Sequence, residues 1–177
     1  EGEGFSLLSF DTAREPRLFR RFAVPGASAV AAGDLTGGGG DDLAVAVNHI
    51  VREEDDVPTV QSLVLLAAED YDPEKAVRFD SVAARSVDIS PVDESGRNYL
   101  LLAQGGTGPS HTSVSQILGF DAHGQVDFRQ TVQTENTARL ISGRTRPGGR
   151  ELVSINHESG GRLGDEDITI YLPRNEL

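Results

Sequence analysis

Short apolar runs, rich in small and β-branched residues and separated by polar loops, set the pattern of this chain. The clearest case is Val30-Ala-Ala-Gly-Asp34-Leu-Thr-Gly-Gly-Gly-Gly-Asp41-Asp42-Leu-Ala-Val-Ala-Val47, in which two such runs flank a glycine-rich loop that carries acids. The arms have the composition of buried strands, and the loop that of a tight hairpin. No stretch sustains a 3.6-residue apolar period, so almost no helix is expected.

The hairpin has two echoes, Ala84 to Ala103 and Ala138 to Ile155. Each reads as a strand, a polar loop with glycine, a charged or polar residue, and then a leucine that opens a second apolar strand. Leu43, Leu100 and Leu152 fall at one repeat position, spaced by about 55 residues, the length of a four-stranded unit.

A second hairpin alternates with the first. Ser6-Leu-Leu-Ser-Phe10-Asp11 and Gln116-Ile-Leu-Gly-Phe120-Asp121 match position by position, with Ser62 to Glu69 as their middle relative. Each runs into a turn and then a strand with an aromatic beside charge: Leu18 to Arg20, Val77 to Phe79, and Phe128 with Arg129. With the first hairpin labelled A–B and the second C–D, the chain reads C-D, A-B-C-D, A-B-C-D, A-B-C. The last C strand is expected at Ile168 to Leu172. This describes a single domain over residues 1–177, with repeats near 5–24, 27–82, 84–133 and 138–177.

The loop from Gly33 to Leu43 resembles the FG-GAP (VCBS) repeat of integrin-type β-propellers, whose Gly-Asp-x-[Asn/Asp]-x-Asp-Gly-x-x-Asp-Leu motif wraps a calcium ion. The resemblance implies an all-β fold, with antiparallel four-stranded blades forming a partial propeller of about three blades. It also implies Ca2+ as a candidate cofactor. With Asp34 at loop position one, Thr36 sits at three, Gly38 at five and Asp42 at nine, so the end carboxylates are kept and the middle acids are not. The candidate ligands are the carboxylates of Asp34 and Asp42, the Thr36 hydroxyl and the Gly40 carbonyl. The residues themselves also allow a second reading, a hairpin loop in which Asp34 and Asp42 bond backbone amides. In the second copy Asp88, Ser90, Asp93 and Asn98 are spread by two extra residues. The third, Gly143 to Glu151, carries Arg144, Arg146 and Arg150, which would repel a cation.

Composition narrows the function classes. The 177 residues, with 37% hydrophobic and 25% charged content, are those of one globular domain with a real core. A net charge of -12 argues against nucleic acid, whose phosphates need a basic face. No run of apolar residues reaches the length of a membrane-spanning helix. Cysteine is absent, which excludes disulfides and thiolate metal sites. Lys75 is the single lysine among sixteen basic residues, a bias shared by high-GC and salt-adapted proteins. The chain opens at Glu1 rather than Met, as a processed chain or a fragment would.

No catalytic residues are expected. The acid runs Glu53 to Asp56 and Asp165 to Asp167 read as solvated loops rather than as a pair with one raised pKa. Ser110-His111 lacks a nucleophile elbow, and Gly37 to Gly40 lacks the Lys-Ser/Thr ending of a phosphate loop. His49, His111, His123 and His157 read as loop residues. The basic island Arg17 to Arg21 reads as the solvent face of a strand.

The ends of the repeat pattern are incomplete. Closed propellers have about four to eight blades, and three A–B hairpins fall short of that. Incomplete blades expose sheet edges that invite pairing. The chain is therefore expected to be a non-catalytic structural or interaction module. It would assemble with itself, with a larger complex, or with the remainder of a longer propeller. The family resemblance implies a secreted, cell-surface or periplasmic setting. A lectin-like or other small-ligand propeller, with carbohydrate as its partner, is the alternative, followed by an enzyme accessory domain. The lack of tryptophan and the chemically unlike loops weigh against both.

Overall fold

The computed structural model describes residues 4–10, 15–48, 60–105, 112–135, 137–143, 151–156 and 167–171. The acidic loop at 51–58, His49, His111 and His157, and residues 106–111, 144–150 and 157–166 lie outside them. The described chain is all-β, in four antiparallel sheets in which strands adjacent in sequence are paired. Sheet I holds β1 (Gly4–Phe10) and β2 (Pro16–Ala23). Sheet II holds β3 (Ala27–Gly33), β4 (Asp42–Val47), β5 (Val60–Leu65) and β6 (Val77–Ser81). Sheet III holds β7 (Ala84–Ser90), β8 (Tyr99–Gln104), β9 (Thr112–Phe120) and β10 (Val126–Glu135). Sheet IV holds β11 (Thr137–Gly143), β12 (Glu151–Asn156) and β13 (Asp167–Tyr171). Helical structure among the described residues is limited to two 3-10 turns, Ala67–Glu69 and Pro73–Lys75.

This is the expected C-D, A-B-C-D, A-B-C-D, A-B-C order, with two complete propeller-like blades between two partial ones. The sheets stack in a row, each pair joined by its own apolar cluster. Between sheets I and II lie Phe22 and Val24 with Leu43, Val45, Leu63 and Leu65. Between II and III lie Ala44, Ala46, Val64 and Phe79 with Leu100, Leu102, Leu118 and Phe120. Between III and IV lie Leu101, Ala103, Ile117 and Val132 with Leu140. The inner sheets are thus covered on both faces. That explains why β4 and β8, Asp-Leu-Ala-Val-Ala-Val and Tyr-Leu-Leu-Leu-Ala-Gln, are buried along their whole length instead of alternating.

The first strands of successive sheets lie side by side, β3 against β7 and β7 against β11. The Ser28 hydroxyl of β3 donates to the Ala84 carbonyl at 2.8 Å, and the hydroxyls of Ser90 and Ser142 meet at 3.1 Å. Gly33 marks a close approach of β3 to β7: a Cβ there would lie 2.6 Å from Cγ2 of Ile89.

Strand pairing makes the repeat exact in register. Leu43 pairs with Leu65, Leu100 with Leu118, and Leu152 with Tyr171. The A–B loops of sheets II and III also align, since Gly33 pairs with Asp42 and Ser90 with Tyr99, leaving 34–41 and 91–98 between them. The counterpart of Asp34 is therefore Pro91. Asp88 sits inside β7, paired with Leu101, and the extra spacing read from the sequence comes from aligning it with the loop.

A hydroxyl device recurs at the other end of both complete blades. The amide of Val47 donates to the Ser62 hydroxyl at 3.0 Å, and that hydroxyl meets Ser81 Oγ at 2.7 Å. In sheet III the amide of Gln104 donates to Ser115 at 3.3 Å, and Ser115 meets Thr134 Oγ1 at 3.0 Å. Each serine accepts the last amide of the B strand, which the ladder leaves unpaired, and ties it to the D strand. A buried amide left without a partner would be costly.

Candidate functional site

The glycine-rich loop between β3 and β4 is held by its own two carboxylates. Asp34 Oδ1 accepts the amides of Gly37 at 2.7 Å and Gly38 at 3.1 Å, and Oδ2 accepts that of Gly39 at 2.9 Å. Gly37 and Gly39 have φ of 75° and 80°, in the left-handed region, where glycine carries no Cβ penalty. The backbone can therefore coil around the carboxylate.

Asp42, fully buried at the start of β4, ties down the other side. Its Oδ2 accepts from the amides of Leu35 at 3.1 Å and Thr36 at 3.3 Å, and from the Thr36 hydroxyl at 3.2 Å. Its Oδ1 accepts the amide of Ala67 at 2.9 Å, which anchors the exit of β5. Two more bonds fix the loop from outside: Asn98 Nδ2 donates to the Asp34 carbonyl at 3.0 Å, and the Tyr71 hydroxyl to the Asp41 carbonyl at 3.0 Å.

Of the four candidate calcium ligands, then, Asp34, Thr36 and Asp42 are engaged with one another or with backbone N–H groups. Gly40 lies near Ala67, whose Cβ a side chain at position 40 would meet at 3.0 Å. A cation needs oxygens that point at it and no N–H groups in between. In the structure these carboxylates accept amide hydrogens, as the second of the two readings open from the residues has it. Among the described residues no group of three or more His, Asp or Glu is placed to hold a metal.

The chain matches no family model, no curated protein and no solved structure.

The equivalent loop of sheet III uses different chemistry for a similar end. Asp93 Oδ1 accepts the Ser95 amide at 2.9 Å, and Oδ2 accepts the Tyr99 hydroxyl at 2.8 Å. Burial pushes the Asp93 carboxyl up, but hydrogen bonds from Ser95 and Tyr99 and the nearby Arg97 charge together hold it below the usual carboxylate range. Burial, and then the bond to Asp93, push the Tyr99 phenol up. Arg97 donates to the Phe120 carbonyl at 2.7 Å, pairs with Asp127, and lies 5.3 Å from the Tyr99 ring centroid.

At the β9–β10 turn Asp121 Oδ1 accepts the amides of Gln125 at 2.8 Å and His123 at 2.9 Å, and these bonds hold its carboxyl low. Both carboxyls thus move in the direction opposite to that of a general acid. His123 is an exposed turn residue. In the basic island, Arg20 donates to the Asp70 carbonyl at 2.5 Å and stacks over Phe22 at 5.3 Å, while Arg21 is exposed.

The feature that sequence reasoning missed is apolar. Leu8 and Leu18, paired across β1 and β2, are 49% and 54% exposed, and Phe19, skipped by the register, is exposed beside them. The position-by-position match of residues 6–11 with 116–121 makes Leu8 the counterpart of Leu118, and so of Leu65. Those two residues are 0% and 1% exposed. The signal was available in that match, because a leucine kept at a position that faces a neighbouring sheet calls for a neighbour.

Proposed function

We propose that this chain is a non-catalytic interaction module that works by joining a larger assembly through the uncovered side of its terminal blade. The observation that carries this reading is Leu8. The repeat buries its counterparts between sheets, yet in sheet I the same position, with Leu18 beside it, faces outward. Contiguous exposed leucines on a sheet face mark a contact surface. The edge of β1 that in sheets II and III is paired with a B strand lies on the same sheet and has no partner strand among the described residues. The FG-GAP-like pattern of the loop at 33–43 supports a secreted, cell-surface or periplasmic setting.

The loops support binding chemistry poorly and scaffolding well, since their carboxylates are spent on their own backbone. The test is the mass of the native assembly, isolated intact from the cells that make it. A mass above that of one chain is expected, and a native species of single-chain mass overturns the reading.

A further inference from the structure

We infer that the partner of the exposed face of sheet I is the outer face of sheet IV on a second copy of this chain, so that copies join head to tail. The inference rests on the interaction-module reading and gives it a partner and a polarity.

Three sheet-to-sheet interfaces are already present within the chain. In each, the face of one sheet that looks toward the C-terminus packs on the face of the next that looks toward the N-terminus. On sheets II and III the N-terminal-looking face presents Leu65 and Leu118 at one repeat position, and sheet I presents Leu8 there. On sheets II and III the C-terminal-looking face presents Ala44 and Leu101, each one residue past the aligned leucine of its B strand. In sheet IV the same position is Val153, following Leu152. In register Val153 pairs with Ile141 of β11 on one side and with position 170 of β13 on the other.

The chain thus carries both halves of an interface that it builds three times internally, one half at each end of the row. A partner with another surface would have to match either half afresh, whereas a second copy already matches both. Such a contact is heterologous, pairing two different surfaces, and closes when the rotation per sheet allows. Two copies bring eight sheets, four of them complete four-stranded blades and four partial, where closed propellers use about four to eight blades.

The test is light scattering on the purified chain at about 100 μM, with variants that load each face separately. Wild type is expected at twice the chain mass or more. Leu8→Glu and Leu18→Glu, at positions about half exposed in the single chain, are expected to fold normally by circular dichroism and to fall to single-chain mass. Val153→Glu, or Val153→Thr if the glutamate variant does not fold, is expected to do the same from the other face. Mixing Leu8→Glu with the Val153 variant then restores a two-chain species, because one chain keeps its head and the other its tail.

Assembly unaffected by Leu8→Glu and Leu18→Glu overturns the inference, as does a mixture that fails to recombine. A wild-type chain that stays monomeric also overturns it. If the native assembly is nonetheless heavier than one chain, the interaction-module reading stands with a different partner.

Discussion

The carboxylate of Asp42 accepts the main-chain amide of Ala67 at 2.9 Å, across 25 residues of sequence. One buried side chain thereby closes the A–B loop and fixes the point where β5 leaves the sheet. Asp42→Ala leaves the amides of Leu35, Thr36 and Ala67 without their acceptor, and is expected to cost about 3 kcal/mol of folding stability. Asp42→Asn keeps one acceptor oxygen and should cost roughly half as much. Urea denaturation of the two variants beside wild type measures both.

Because Asp34 already serves three loop amides, a cation has to displace them before it can be held. Calcium at about 1 mM is expected to leave the melting temperature within about 1 °C of its value in chelator. A larger rise that Asp34→Ala abolishes would show that the ion wins that competition.

Asp34 and Asp42 illustrate how far the sequence could be read. Their spacing around a glycine run located the loop, and the leucine after Asp42 set the repeat register, since both depend on local pattern. The choice between cation and amide as their partner was not local. It turns on Ala67 and Tyr71, which the pairing of β4 with β5 brings to the loop, and on Asn98, which reaches it only once sheets II and III have stacked. The pairing of Leu8 with Leu118 was legible as a match, but its meaning depended on knowing which sheet face lacks a neighbour. The place of Asp88 was misjudged for a related reason: an acid near a loop looks like a loop residue until strand pairing counts it into β7.

The repeated serine device gives a paired expectation. Ser62→Ala strips the Val47 amide of its acceptor, and Ser115→Ala does the same to Gln104. Each should destabilise by about 1–2 kcal/mol. The first is expected to cost more, since its bond is 3.0 Å against 3.3 Å for the second. Thermal melts of both variants compare them directly.

Gly33 separates sheets II and III by the width of its missing side chain. Gly33→Ala is expected to destabilise by about 1–3 kcal/mol through overpacking against Ile89. In an Ile89→Ala background the same substitution should cost little, because Cγ2 of Ile89 is then gone. A double-mutant cycle reads the coupling as the difference between the two costs.

The Asp121 carboxyl is held below its ordinary value of 3.8 by the amides of Gln125 and His123. Its folded pKa is lower than its unfolded one, so its stabilising contribution is present above the unfolded value and is lost as pH falls through the folded one. Asp121→Ala is therefore expected to lower the urea midpoint at about pH 6, with the gap to wild type closing as the pH is taken down through the folded pKa. A gap that persists undiminished in acid would assign the effect to turn geometry rather than charge.

Because each apolar cluster joins only one adjacent pair of sheets, the molecule is a short linear lattice. Its cooperativity is then nearest-neighbour, with each blade stabilised by the one before and the one after it. In such a lattice the length of the stack is a free variable. A unit added at either end extends the row without repacking the interior, and the end units, having one neighbour each, are the first to loosen.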